Sequence, residues 1–549
     1  MELARVFLLG VLLLIAFMLW NAWQNEYPNT LEMESPAQTK QQHTTTELMN
    51  LHGFQPTSIT NYAHDAQLGG VTNERFISVK TDVLSIVIDK QGGNIVKANL
   101  LHYPQKAGDA HSQPFQLLSN DLQNYYVAQS GLMDSERRIP QYQSASRDYK
   151  LSTDQSKLYV DLICTNCQRV AIRKRFIFRP NDYVVSVDYQ IDNHSNSPWK
   201  GQIYTQFQQK KVVPKHSLFN ISSYVGGAVS TKDKPYQKIS FDKMGSGIFI
   251  TTESGWVAML QHYFLSAWIS SVDGSYRFYS YAKNDIYTLG MLGSPFQIGP
   301  NKRYTDQIKL YLGPEIMDRL KTAAPHLDLT VDYGILWFIS NALFWLLKEI
   351  HHVVGNWGWS IVIVTVLIKL AFYHLSAKSY RSMAAMRNLQ PRLNALKERY
   401  GDDRQQLTKA TMELYKSEAL NPLGGCLPIL VQIPVFIALY WMLLESVELR
   451  QAPFVFWIHD LSTKDPYYIL PVLMGITMLV QQRLNPPPPD PTQAKVMQFL
   501  PIFFTALFLN FPSGLVLYWV VNNTLSILQQ WFIMRRMTAK LSDKKLRKR

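Results

Sequence analysis

Residues 6–20 are apolar throughout and residues 6–25 carry no charge, a pattern that reads either as a cleaved signal peptide or as a retained membrane anchor. The anchor is favoured: no small-x-small cleavage site follows, and Trp20 and Trp23 suit a membrane interface. The anchor therefore occupies 1–25, followed by a linker over 26–70, rich in Gln, Thr, Asn and His and poor in periodic apolar signal. Between 71 and 326 the period changes to two. Runs such as 76–88, 170–178 and 183–191 alternate apolar and polar residues between Gly, Asn, Asp and Pro turns, which predicts a large antiparallel β-sandwich.

The period then returns to that of a helix. Ile335, Leu336, Ile339, Leu343, Leu346, Leu347 and Ile350 form one stripe, with Asp332, Asn341, Lys348 and Glu349 off it, predicting an amphipathic helix over 327–352 in the membrane interface. Apolar spans follow at about 355–375, 423–444 and 467–484. Residues 496–534 carry no charge, and as one helix they would extend ~58 Å, about twice the thickness of a hydrocarbon core. Asn510, Pro512, Ser513 and Gly514 supply turn chemistry in the middle, so two spans are expected, about 496–511 and 515–534. With the anchor, the fold class is a polytopic α-helical membrane protein of six transmembrane helices, plus the sandwich.

Charge orients these spans. The segment 376–421 carries nine Lys or Arg against five acids and the tail 535–549 eight against one, while 445–466 carries two against four. Basic residues collect in cytoplasmic segments, so both termini are inside and the sandwich is outside, in a periplasm-like space. Within 376–421, helical spacing on either side of a break at 400–403 predicts a hairpin. Its methionines suit adaptable contact with other proteins as well as ordinary helix packing, and the tail suits anionic lipid or ribosomal RNA as well as a plain topology signal.

Composition adds little catalytic promise. The 47 % apolar and 17 % charged content leans toward a membrane class, and three cysteines exclude a disulfide framework. Cys164 and Cys167 lie between two strand runs, where a hairpin turn, open or closed by a disulfide, is favoured over a zinc or redox site. No Gly-x-x-x-x-Gly-Lys-[Ser/Thr] pattern is present, and no cofactor, metal or bond-breaking chemistry is expected.

One residue stands out. Lys369 lies ~16 Å along an apolar span counted from its interfacial tryptophans, where a charge costs from about 3 to above 10 kcal/mol, and the other spans offer no Asp or Glu. It either snorkels to the cytoplasm, couples to protons or ions, or faces a water-filled cavity. The cavity is favoured because polar side chains recur at depth: Thr365, Gln432, Gln498, Thr505, Asn522, Asn523, Thr524 and Ser526, each of which also suits a helix–helix hydrogen bond. Such a positive groove would attract a short acidic tail while the bilayer draws in the apolar remainder. A transporter is the rival class, although no internal repeat or broken-helix pair supports it. A sugar-processing role for the sandwich rests on fold analogy alone.

Five stretches carry a specific likeness: Asn421-Pro-Leu-Gly-Gly-Cys-Leu-Pro428, Glu448-Leu-Arg-Gln-Ala-Pro453, Trp457-Ile-His-Asp-Leu461, Asp465-Pro-Tyr-Tyr-Ile-Leu-Pro471 and Phe511-Pro-Ser-Gly-Leu-Val-Leu-Tyr518. With them the chain resembles, over essentially its whole length, the YidC family of bacterial membrane-protein insertases in its Gram-negative form. The resemblance implies a five-helix groove core over 353–534, with the interfacial helix, the cytoplasmic hairpin and a periplasmic β-supersandwich related to sugar mutarotases. It also implies insertion, folding and assembly of inner-membrane proteins, alone or with the Sec translocon, through a hydrated positive groove open to lipid and cytoplasm. Implied partners are nascent membrane proteins, the translocon, the lipid bilayer, and the ribosome through hairpin and tail. Lys369 stands where the family has an arginine, and Tyr518-Trp519 where it has a tyrosine pair. Client helices in the family slide along the spans that here hold Leu427, Ile429, Ile433, Phe436, Phe503 and Leu507.

Overall fold

The computed structural model describes residues 74–106, 109, 112–134, 139–167, 169–211, 224–271, 274–401, 403–418, 427–485 and 491–546. The anchor at 1–25 and the linker at 26–70 lie outside these residues. The described residues form two compact units: 74–381 with 427–546, and 382–418.

In the first unit, strands between Phe76 and Pro314 build an eleven-stranded and a nine-stranded sheet. The alternation expected from the sequence explains them: along Val170–Phe178, residues Val170, Ile172, Lys174 and Phe176 are buried while Arg173 and Arg175 are half-buried. Phe207 of the larger sheet meets Trp268 of the smaller at 6.1 Å between ring centroids, inside the shared core. Among the described residues the pairing departs from purely antiparallel at one place, where Phe76–Lys80 runs parallel to Asp148–Lys150. Cys164 ends one strand just before the next begins at Val170, and a disulfide joins it to Cys167 across the turn.

A short helix α1 (Phe241–Gly245) packs on the sandwich, and α2 (Met317–Ala323) leads out of it. Two 3-10 turns precede α3 (Trp337–Val354), so the helix expected over 327–352 starts about ten residues later. Gly355, left-handed at φ 69°, closes it, a conformation that suits glycine. The stripe also divides. Leu343, Phe344 and Leu347 are buried with Ser340, whose Oγ donates to the Ala438 carbonyl at 3.0 Å, whereas Ile335, Trp337, Phe338 and Trp345 are exposed.

Next come α4 (Trp357–Ala371) and α5 (Tyr373–Asn388), meeting at a bend of 67°. The expected span 355–375 therefore turns at Phe372. After the hairpin follow α8 (Leu427–Glu445), α9 (Ile469–Leu484), α10 (Pro491–Phe508) and α11 (Ser513–Leu546). The turn expected near 510–514 is present. Ser513 donates through both N and Oγ to the Thr463 carbonyl at 2.7 Å, and Gly514 N donates to the Leu461 carbonyl at 2.9 Å, so the loop before α9 fixes it. The tail is helical through Leu546 because Lys and Arg are good helix formers and no breaker intervenes. Among the described residues no single helix is long and apolar enough to cross a membrane, whereas α4 and α5 together are.

The sandwich rests on the loop after α8. Arg450 donates to the Pro104 carbonyl at 2.8 Å and lies over the rings of Phe264 and Phe115 at 5.1 and 5.5 Å. His262 Nε2 lies 3.3 Å from the Leu444 carbonyl, and burial pushes that imidazole down to about 4, so it is neutral at physiological pH.

The second unit holds the end of α5, then α6 (Gln390–Tyr400) and α7 (Arg404–Ser417), the expected hairpin. Asp403 caps α7 through Gln405 N and Gln406 N at 2.9 and 3.0 Å, and Arg392 pairs with Glu418 at 2.6 Å.

Candidate functional site

Lys369 lies in the last turn of α4, one turn from the bend. Its Nζ donates to Ser526 Oγ at 2.8 Å; Ser526 Oγ in turn donates to the Asn522 carbonyl at 2.7 Å, and Gln432 Nε2 donates to Asn522 Oδ1 at 2.9 Å. Three helices, α4, α8 and α11, thus share one polar chain. Asn522, Ser526 and Gln530 repeat every four residues, so they line one face of α11, and Gln530 extends the ladder to Asn485 Oδ1 at 3.0 Å. Among the described residues no carboxylate pairs with Lys369. Its ammonium has three donors and a neutral hydroxyl takes one, which leaves the half-buried charge uncompensated.

The other expected groove residues separate. Thr365 is buried and bonds back to the Ile361 carbonyl at 2.6 Å, so it belongs to helix packing. Thr505 likewise bonds the Pro501 carbonyl and faces α9, where a β-carbon added to Gly475 would lie 2.2 Å from Thr505 Oγ1. Gly475→Ala should therefore cost about 1–3 kcal/mol of stability, and Thr505→Ala should recover most of it. Thermal unfolding of the four proteins of this cycle in detergent checks the pair; additive losses would refute the clash. Gln498 is exposed on α10. Asn523 donates to Thr477 Oγ1 of α9 at 3.3 Å, another interhelical bond, and Thr524 bonds its own helix at the Val520 carbonyl.

Tyr518 is buried at 2 % exposure, whereas Trp519 is half-buried with its indole Nε1 enclosed and unpartnered among the described residues. Phe436 meets both rings, at 6.3 Å from Tyr518 and 5.0 Å from Trp519, and joins α8 to α11 beside Gln432. Ile433 and Leu507 are half-buried. Phe503 is exposed and continues an apolar strip with Val496, Phe499 and Ile502 on α10. The side chains of Leu427 and Ile429 lie outside the described residues. Sequence reasoning named Ser526 among the polar residues at depth without marking it as the partner of Lys369. The helical spacing of Asn522, Ser526 and Gln530 was the signal that could have set it apart.

Two family descriptions match the chain: "60Kd inner membrane protein" over residues 349–540 and "YidC periplasmic domain" over 76–346. A membrane protein insertase YidC from Legionella pneumophila (strain Paris) is 51 % identical, with 100 % of this chain and 99 % of that one covered. Its counterpart from Coxiella burnetii (strain Dugway 5J108-111) is 45 % identical with both chains covered completely. Among solved structures, an active YidC insertase crystal structure aligns with 83 % of this chain and 92 % of its own, at 17 % identity and a TM-score of 0.37. On the identity of these relatives across its whole length, the chain belongs to the YidC family of membrane protein insertases.

Proposed function

We propose that this chain inserts and helps fold other membrane proteins by receiving their polar tails at Lys369 while their apolar segments pass along α8 and α10 into lipid. The observation that carries this reading is the chain Lys369–Ser526–Asn522–Gln432, in which a cation on an apolar helix has only neutral polar neighbours. Such a cation favours an incoming carboxylate that supplies the missing partner. The exposed strip Val496, Phe499 and Phe503 offers a client helix a hydrophobic surface, and each central Leu, Ile, Phe or Val of the client gains about 0.3–0.6 kcal/mol on reaching lipid. No nucleotide is required for that step.

In this reading α4 with α5, α8, α9, α10 and α11 make the five-span core and the N-terminal segment the sixth span, with both termini cytoplasmic and the sandwich in the periplasm of an inner membrane. Helices of 15 to 19 residues, such as α4 and α8, extend roughly 22–28 Å, a little less than an ordinary hydrocarbon core, which shortens the path a tail must travel. The basic hairpin and tail present the charge for a translating ribosome, and the Sec translocon is a working partner for larger clients.

Photo-crosslinkers placed at Ile433 and Phe503 should capture a stalled client helix, whereas one at Tyr159 on the sandwich should not. Equal labelling at all three positions, or none at the helical pair, would remove the sliding path.

A further inference from the structure

Nothing in the stem of Lys369 itself holds its ammonium where the insertion path needs it. The residue is half-buried and lies in the last turn of α4, three positions before the bend at Phe372. Three positions of helix rise only about 4.5 Å, whereas a four-carbon lysine stem reaches roughly 6 Å. In the reading above the bend faces the cytoplasm, so the ammonium can turn toward that water and leave the apolar span. Long basic side chains in membrane helices take that course, because it relieves the cost of a charge at depth.

One contact opposes it. Among the described residues Ser526 Oγ is the only hydrogen-bond acceptor of the ammonium, at 2.8 Å, and Ser526 is 3 % exposed, so the acceptor lies inside the bundle. That acceptor is itself fixed. The Ser526 hydroxyl donates its one hydrogen to the Asn522 carbonyl at 2.7 Å, a turn back along α11, which sets its rotamer and leaves the lone pairs of the oxygen to the lysine. The other polar side chains on this side of α11 are engaged elsewhere: Asn522 Oδ1 accepts from Gln432, Asn523 donates to Thr477, and Gln530 donates to Asn485.

We propose that Ser526 is a positioning residue for insertion: by accepting from Lys369 it keeps the ammonium inside the bundle, where an arriving client carboxylate meets it, and prevents its withdrawal to the cytoplasmic water. The inference rests on the reading of Lys369 as the receiver of client tails. A neutral hydroxyl suits this task better than a carboxylate would. It engages one of the three donors of the ammonium and leaves the charge and two donors for the client, whereas an acid at 526 would satisfy the cation itself.

Two readouts on the full chain in inverted vesicles test it. A membrane-impermeant amine-acylating reagent added from the cytoplasmic side, with modification of Lys369 followed by peptide mass spectrometry, reports where the ammonium lies. Modification should be slow in the native chain, about tenfold faster in Ser526→Ala, and slow again in Ser526→Thr, which keeps the hydroxyl. Insertion of matched clients reports the use. Ser526→Ala should lower insertion of an acidic-tailed client about tenfold, leave a glutamine-tailed client unchanged, and have no further effect in Lys369→Ala. A role in helix packing alone would slow both clients, with or without the lysine, and that result overturns the proposal, as does unchanged modification of Lys369 in Ser526→Ala. If Lys369→Ala alone leaves the acidic client unaffected, the reading of the site fails, while the modification rates still decide whether Ser526 holds the ammonium.

Discussion

Lys369→Glu should reduce insertion of a client with an acidic tail by more than a hundredfold, while Lys369→Arg retains it. Across roughly 10 Å at an effective dielectric constant of about 20, a unit cation attracts a unit anion by about 1.7 kcal/mol. Removing the charge in Lys369→Ala should then cost about fifteenfold, and reversing it about 3 kcal/mol. Arginine keeps the charge and can still donate to Ser526 Oγ, the present partner. Transport of matched clients into vesicles reads these differences directly. A client with a basic tail should reverse the ranking and recover on Lys369→Glu. Equal insertion by all four proteins would make the lysine a bystander and leave the apolar faces of α8 and α10 to carry the step. A uniform loss for acidic and basic tails alike would point to a damaged helix bundle instead of a reversed field.

Lys369 was legible as an anomaly because an isolated charge in an apolar run needs no structure to be noticed. Its partner was not. Thr365, Gln432, Asn522 and Ser526 all looked alike as polar residues at depth, and which of them meet depends on how α4, α8 and α11 are rotated against one another. Thr365 turned back on its own helix, while Ser526, four residues from Asn522, took the lysine. The sandwich was legible from alternation, since a period of two with turn residues leaves few other solutions. The ends of helices were less so. The bend at Phe372 has no proline or glycine beside it, and the span expected to end near 534 continues as α11 into the basic tail, whose residues favour a helix. The enclosed and unpartnered Oδ1 of Asn341 was invisible for a different reason, since burial without a partner is a property of tertiary packing alone.

Lys174 shows the limit of pattern reading from the other side, and it sets the second large effect: the sandwich should gain stability with rising pH through this residue. Position 174 falls on the inward parity of the run 170–178, between Ile172 and Phe176, so the sequence already marked it as buried, yet a lysine there is easily passed over. In the structure its exposure is 0 %, and Nζ donates to the Gly93 and Ser130 carbonyls at 2.6 and 2.7 Å. A neutral amine has two hydrogens and both are used, whereas an ammonium would carry a third without an acceptor. Burial therefore holds Lys174 well below the ordinary 10.5, and the folded chain keeps it neutral where the unfolded chain takes up a proton. Unfolding then binds a proton, and stability rises by about 1.4 kcal/mol per pH unit from the lowered folded value up to the ordinary one. Lys174→Met removes that slope while leaving the two carbonyls unpaired, so the stabilities of the two proteins should approach or cross at low pH and separate steadily as pH rises from 7 to 9. Denaturant unfolding of the full chain, followed by hydrogen exchange in the strands Val170–Phe178 and Val184–Asn193, measures the difference. Parallel curves over that range would mean that the ammonium persists inside, held by the two carbonyls and by the rings of Phe176 and Tyr189 at 5.2 and 5.5 Å.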